Sequence, residues 1–311
     1  ITVKKNAIVK LSTASVNLIA AGEVVERPAA AVKELIENSL DARAKSIDIS
    51  YAHGGKTLIK IEDDGWGIPR SELKLALESH ATSKLIGSNL LDINTFGFRG
   101  EALPCLAAVS KLTIKSREQN SVEGAELTVT AGIKEQVKPS AISQGTIVEV
   151  QDLFFSTPAR LKFLKSDIIE SKAINEIVRR IAMVNSHVRF SLRDVTKKDG
   201  SKLVFQAPFE TGEKNISDRL RRIMGAEFLE NSVELFQQQN GYSLQGYVSM
   251  PTYSKATSLN QYFFVNGRVV RDRLLLGALR TAYYDFNHFA DYWKRYSSIV
   301  KSGGDKFDQA L

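Results

Sequence analysis

Between residues 29 and 40 the apolar side chains Val32, Leu35, Ile36 and Leu40 recur at helical spacing, and Pro28 stands where a first helical turn accepts proline. Immediately afterwards the period changes. Residues 46–51 alternate through Ile47, Ile49 and Tyr51, residues 57–62 form a second apolar run, and His53-Gly54-Gly55-Lys56 joins them as a turn. An amphipathic helix followed at once by a strand pair excludes both an all-helical and an all-strand fold for this part of the chain.

The same reading predicts a helix over 101–108, strands at 112–116, 126–130 and 147–150, and a helix over 170–184. Residues 197–200 read as a turn. Residues 262–265 and 268–270 form a hairpin turning at Asn266-Gly267, a pair suited to the positive φ angles of a type I′ turn. The stretch 79–100 carries Gly87, Gly97 and Gly100 with few apolar repeats, a length that suits a lid. Charges with Pro208 and Gly212 mark 206–215 as a boundary, so two domains are expected, 1–208 and 209–311.

Composition narrows the chemistry. One cysteine, Cys105, allows no internal disulfide, and four scattered histidines build no zinc-ligand spacing. The formal charge of +7 suits a polyanionic partner such as nucleic acid, although many basic proteins bind none. No apolar run approaches the roughly 18 residues of a membrane span, and the first residues lack the apolar core of a signal peptide, so a soluble, cytosolic chain is expected.

Four short motifs could carry chemistry. On the first helix Glu34, Glu37, Asn38 and Asp41 lie opposite the apolar stripe, with Glu34 and Asn38 stacked four apart. A carboxylate there could take a proton from water and the amide oxygen could ligate Mg²⁺, although a solvated helix face would show the same pattern. Asp63-Asp64-Gly65-Trp66-Gly67 follows an apolar strand and could offer Asp63 to an exocyclic amine, or simply end the strand. Residues 96–103 enter a helix through glycines, as an anion site does. Gly145-Thr146 opens a strand and could set a hydroxyl beside an adenine or a bridging water. Gly54-Gly55-Lys56-Thr57 is no phosphate loop, since Ser50 stands where its first glycine belongs.

In their order, these motifs resemble the MutL family of DNA mismatch-repair ATPases, within the GHKL superfamily of gyrase-type topoisomerases, histidine kinases and a heat-shock chaperone. The resemblance rests on residues 19–28, 33–42, His80-Ala81-Thr82-Ser83-Lys84 and 97–103, and extends through 152–160 and 265–273 to about Tyr284. It implies an α+β fold: a GHKL (Bergerat-type) ATP-binding α/β sandwich, then a ribosomal-protein-like α/β domain. By position it implies Glu34 as general base, Asn38 as magnesium ligand and Asp63 as adenine reader. Gly65 and Gly67 would shape the adenine pocket and Thr82, Ser83 and Lys84 would belong to the lid. Gly97, Phe98, Arg99 and Gly100 would bind phosphates, with Thr146 near the base.

The resemblance further implies ATP and Mg as cofactors and a slow, ATP-gated dimeric clamp coupling mismatch recognition to repair. Its partners would be DNA without sequence preference, a mismatch-recognition protein of the MutS type and a downstream nuclease or helicase. The location would be cytoplasmic and nucleoid-associated in a bacterium, or nuclear in a eukaryote. Arg268, Arg271 and Arg273, flanking the Asn-Gly hairpin, are the candidate DNA contacts. Asp64 stands where many relatives carry Asn, which would add charge near the nucleotide. After Tyr284 the family's Val-Asn-Val-His-Pro-x-Lys strand is not found, and the C-terminal nuclease-bearing region is absent, so no nuclease is expected. A nucleotide-binding switch without significant turnover is the alternative.

Overall fold

The computed structural model describes residues 13–84, 95–97, 100–197, 200–212, 215–253 and 260–284. Its contacts divide the chain into two compact units, residues 1–182 with 186–211, and residues 183–185 with 212–311.

The first unit is built on a mixed sheet. Helix α1 spans Thr13–Val24 and α2 spans Pro28–Asp41, followed by β1 (Ser46–Ala52) and β2 (Leu58–Asp63). Then come α3 (Ala102–Val109), β3 (Lys111–Arg117), β4 (Gly124–Thr130), the short β5 (Ile133–Lys134) and β6 (Lys138–Ser140), and β7 (Gly145–Gln151). The unit continues with α4 (Pro158–Phe163), α5 (Asp167–Val184), β8 (Arg189–Asp194) and β9 (Lys202–Ala207). The strand order is β5-β4-β3-β7-β2-β1-β8-β9, with β6 also on β4. All pairings are antiparallel except that of β1 with β8.

Strand alternation sorts the sheet into two faces. Ile47, Ile49, Ile59, Ile61, Leu112, Ile114, Leu127, Val129, Val148 and Val150 are buried on one of them. Helices supply the facing layer: Val32, Leu35 and Ile36 of α2, Leu106 and Val109 of α3, and Ile174 and Val178 of α5 are all buried. The other face carries charged pairs such as Lys60 with Glu62 and Lys115 with Glu126. A two-layer α/β sandwich results, with its core between helices and sheet.

In the second unit, α6 (Asn215–Met224) and α7 (Ala226–Glu230) precede the antiparallel hairpin β10 (Ser232–Gln239) and β11 (Tyr242–Ser249). A second hairpin joins β12 (Phe263–Val265) to β13 (Arg268–Val270), and α8 spans Arg273–Tyr284. Asn266 and Gly267 take φ 49° and 77°, the left-handed angles expected for their turn. Asn240 and Gly241 do the same at 50° and 78° in a hairpin that the sequence reading passed over.

Among the described residues no helix is long and apolar enough to cross a membrane. Much of the expected lid, and residues 198, 199 and 285–311, lie outside the described residues.

Candidate functional site

Helix α2 carries two working faces. Its apolar stripe is buried in the sandwich core, and its polar face is not the solvated surface that charge alone suggested. Glu34, Glu37 and Asp41 side chains are 28%, 11% and 5% exposed. Lys33 Nζ lies 3.0 Å from both Glu34 Oε1 and Glu37 Oε2. Burial pulls the Lys33 ammonium down, but the two carboxylates more than offset it and its pKa is raised overall.

The end of α2 is tied to the turn after β2. Ala42 O accepts from Trp66 N at 2.9 Å, and Asp64 Oδ1 accepts from the Lys45 and Ser46 amides at 2.7 and 2.9 Å. Asp64 is thus a turn staple, a role that the carbonyl of an Asn could fill equally well. Gly67 sits at φ 74°, and a Cβ there would fall 2.1 Å from Arg117 O, so the turn passes Arg117 closely enough to require glycine.

Asp63 closes the buried face of β2. Its carboxylate accepts from Ser39 Oγ at 2.8 Å and from Gly65 N at 3.0 Å. Burial raises its pKa above the ordinary carboxylate value, against the lowering effect of those donors. In the sheet register Asp63 faces Thr146 and Thr146 faces Ser116, across three adjacent strands. Ser116 Oγ lies 2.8 Å from Thr146 Oγ1 and accepts from Ile68 N at 2.8 Å. A buried carboxylate with hydroxyls beside it, at the rim of an apolar core, can read the donor edge of a planar heterocycle.

The lid signature reaches the same helix. Lys84 Nζ donates to Asn38 Oδ1 at 2.7 Å and pairs with Asp41 Oδ2 at 2.6 Å. Asp41 also accepts from the amides of Phe96 and Gly97 at 2.8 and 3.0 Å. Thr82 Oγ1 accepts from Lys84 N at 3.1 Å, while Ser83 is exposed. Gly97 is packed tightly, with a Cβ there falling 2.9 Å from Lys84 Nζ. Gly100 leads into α3, and Phe98 and Arg99 lie outside the described residues.

Asn38 and Asp41 already hold a cation, so the oxygens fit a magnesium ion. Among the described residues no group of three or more His, Cys, Asp or Glu side chains could hold a metal by itself. Such an ion would take most of its ligands from phosphate and water, as Mg²⁺ commonly does.

Glu34, Asn38, Asp63, Gly65, Gly67, Lys84, Gly97 and Thr146 therefore all lie on α2 or on segments bonded to α2, β2 or their neighbours. Arg268, Arg271 and Arg273 belong to the second unit. Arg271 and Arg273 are exposed, and between them Asp272 Oδ1 caps α8 by accepting from Leu274 N at 2.8 Å and Leu275 N at 3.0 Å. Four polar residues at the site went unassigned in the sequence reading: Ser39, Ser116, Lys33 and Asp41. Ser39 and Ser116 carry a legible signal, since each interrupts an otherwise apolar face.

Residues 26–155 match the family model described as histidine kinase-, DNA gyrase B-, and HSP90-like ATPase. Residues 220–292 match that of the DNA mismatch repair protein, C-terminal domain, which runs past the point near Tyr284 where the sequence resemblance stops. The DNA mismatch repair protein MutL of Sinorhizobium medicae is 49% identical over 277 residues, 89% of this chain and 44% of that relative. Its counterpart in Brucella abortus is 46% identical over 280 residues, 88% of this chain and 43% of that relative. The chain thus spans less than half the length of these relatives. Among solved structures, the Aquifex aeolicus MutL ATPase domain complexed with ADP aligns with a TM-score of 0.65 at 27% identity, covering 83% of this chain and 89% of that one. The N-terminal domain of a DNA repair protein aligns with a TM-score of 0.74 at 25% identity, covering 88% of this chain and 83% of that one. The fold is the GHKL ATP-binding α/β sandwich followed by a second α/β unit.

Proposed function

This chain belongs to the MutL family of DNA mismatch repair proteins, and on that premise we propose that it is the ATP-hydrolysing part of an ATP-gated clamp on DNA. The nucleotide domain would take residues 1–208 and the second domain 209–311, a sequence boundary three residues before the break between the two compact units. The observation that carries the reading is the convergence on one helix of Glu34, the Asn38 oxygen and, through Ser39, the buried Asp63. The Glu/Asn pair suits the magnesium-bound triphosphate of ATP, and the neighbouring Asp63, an acceptor for an exocyclic amine, suits its base.

Asp63 accepts from the adenine amine, with Thr146 beside it and Gly65 and Gly67 admitting the ring. Asn38 would hold magnesium, which when bound neutralises phosphate charge. Thr82, Ser83, Lys84 and Gly97 to Gly100 surround the phosphates. Glu34 removes a proton from the attacking water as its oxygen bonds to the terminal phosphorus, and ADP leaves. Lys33 keeps Glu34 in place beforehand, and Glu37 remains as its partner when Glu34 turns to water.

In the assembled protein this slow hydrolysis gates an ATP-dependent homodimer in the bacterial cytoplasm. It links a MutS-type recognition protein to a nuclease or helicase, with Arg268, Arg271 and Arg273 on DNA phosphates. The alternative, a nucleotide switch without significant turnover, draws on the tail, where the family's Val-Asn-Val-His-Pro-x-Lys strand is not found.

Replacing Glu34 with Ala separates the two readings. Turnover should fall by ~10²–10⁴-fold with nucleotide retention within about threefold, because general-base assistance contributes on that scale while Glu34 does not hold the nucleotide. Steady-state and single-turnover ATPase assays decide it. Hydrolysis by Glu34→Ala at the parental rate removes Glu34 as the base, and no turnover above background in the parent favours the switch.

A further inference from the structure

Lys84 makes a contact that the proposed nucleotide reading does not use. Its ammonium donates to Asn38 Oδ1 at 2.7 Å and pairs with Asp41 Oδ2 at 2.6 Å. The Lys84 and Asp41 side chains are 20% and 5% exposed. Gly97 closes the site from a third segment, its Cβ position 2.9 Å from Lys84 Nζ and 3.6 Å from both Asn38 Oδ1 and Asp41 Oδ2. One positive charge therefore sits where α2, the Thr82-Ser83-Lys84 segment and the Gly97 loop meet.

We propose that Lys84 is an exchangeable counter-ion that occupies the magnesium position of the nucleotide-free protein, so that metal can enter only when the phosphates of a nucleotide draw Lys84 away. The proposal rests on the nucleotide-binding reading of this site. An Mg²⁺ ion binds oxygen at about 2.1 Å and cannot share Asn38 Oδ1 with an ammonium already bonded to it, because like charges at that separation repel strongly. The exchange leaves no group stranded. When Lys84 departs, Asp41 keeps the Phe96 and Gly97 amides, so the buried carboxylate stays hydrogen-bonded and the glycine loop stays on α2. Lys84, released, carries its charge to the phosphates. The order of events follows from charge balance: free divalent metal is refused, and metal arrives with or after the nucleotide.

The test uses Mn²⁺ as the probe, its free concentration followed by electron paramagnetic resonance, on nucleotide-free protein. The parent should hold no stoichiometric Mn²⁺ at millimolar metal. Lys84→Met should bind Mn²⁺ roughly tenfold or more tightly than the parent, since a repelling charge beside the oxygens is gone. The gain should vanish in Lys84→Met combined with Asn38→Ala, and Lys84→Arg, which keeps the charge, should stay closed to metal. Lys84→Met with unchanged Mn²⁺ affinity, or a gain that survives loss of Asn38, overturns the exchange. Nucleotide affinity of the same proteins with Mg²⁺ present keeps the two readings apart. A parent that binds no nucleotide overturns the nucleotide reading and this proposal with it, whereas intact nucleotide binding with unchanged Mn²⁺ affinity overturns the exchange alone.

Discussion

Asp63→Asn should leave the empty protein at least as stable at pH 7 while weakening nucleotide binding by one to two orders of magnitude. The structure gives both halves. Asp63 Oδ1 accepts from Gly65 N at 3.0 Å, which an amide oxygen can continue to do. Asp63 Oδ2 accepts from Ser39 Oγ at 2.8 Å, and the same hydroxyl lies 3.2 Å from Leu35 O. An Asn Nδ2 can donate to Ser39 Oγ instead, leaving the hydroxyl hydrogen for Leu35 O, so both contacts of this hydroxyl are kept. Burial holds the Asp63 pKa above its ordinary value, so the folded protein binds this proton more tightly than the unfolded chain. Its contribution is full below the unfolded pKa and lost as pH rises through the folded one, so at neutral pH the ionised carboxylate opposes folding. Asn carries no such cost, and its advantage should shrink to nothing as the pH is lowered through that window. Binding responds in the opposite sense. A hydrogen bond to a charged acceptor contributes about 1.5–3 kcal/mol, which at ~1.4 kcal/mol per factor of ten is roughly a ten- to 150-fold loss of affinity. Urea unfolding from pH 4 to 8 without nucleotide, with calorimetric titration of ADP, measures both. Nucleotide binding within threefold of the parent would refute Asp63 as the adenine reader, and a loss of more than about 2 kcal/mol in the empty protein would mark it as structural.

Two further substitutions probe other parts of the argument. Gly67→Ala should cost at least about 2 kcal/mol by urea midpoint, from the left-handed φ of 74° together with a Cβ 2.1 Å from Arg117 O. Gly132→Ala, at φ 84° with nothing within 4 Å, isolates the backbone part, and equal losses at both positions would dismiss the clash. Arg273→Glu should weaken binding to all duplex sequences alike and flatten the salt dependence of the affinity, because phosphate contacts carry no sequence information and release counterions. Undiminished, salt-insensitive binding of labelled duplex by that variant would reject the arginine cluster.

Local periodicity carried the sequence reading a long way. Helix α2, the β1–β2 pair, α3 and the β12–β13 hairpin are each written in spacing that a short window contains. Strand β8 is different: it pairs in parallel with β1 across more than a hundred residues, and nothing within 189–194 announces that partner. Missing β10 and β11 has a plainer reason, since Asn240-Gly241 has the same turn chemistry as Asn266-Gly267 but is flanked by polar Gln237, Gln238 and Gln239. At the site, Glu34, Asn38 and Asp63 stand out as polar residues at element ends or on a charged face. The grip of Asp41 on the Phe96 and Gly97 amides joins segments 55 and 56 residues apart, which no residue pattern encodes. Ser39 and Ser116 were readable in principle. Each falls on apolar parity, beside Leu35 and Ile36 on α2 and after Leu112 and Ile114 on β3.

The row formed by Asp63, Thr146 and Ser116 links the site to the core by arithmetic. Each of the three ends a run of alternate buried residues: Ile59 and Ile61, Val150 and Val148, Leu112 and Ile114. Slipping β2, β3 or β7 by one residue against its neighbours would turn both the apolar run and its polar terminus to the wrong side together. A chain that mis-registers these strands thus loses its core before it can present a malformed pocket. Variation in length is thereby steered into the turns, such as 118–123 and 141–144, where a residue gained or lost changes no parity.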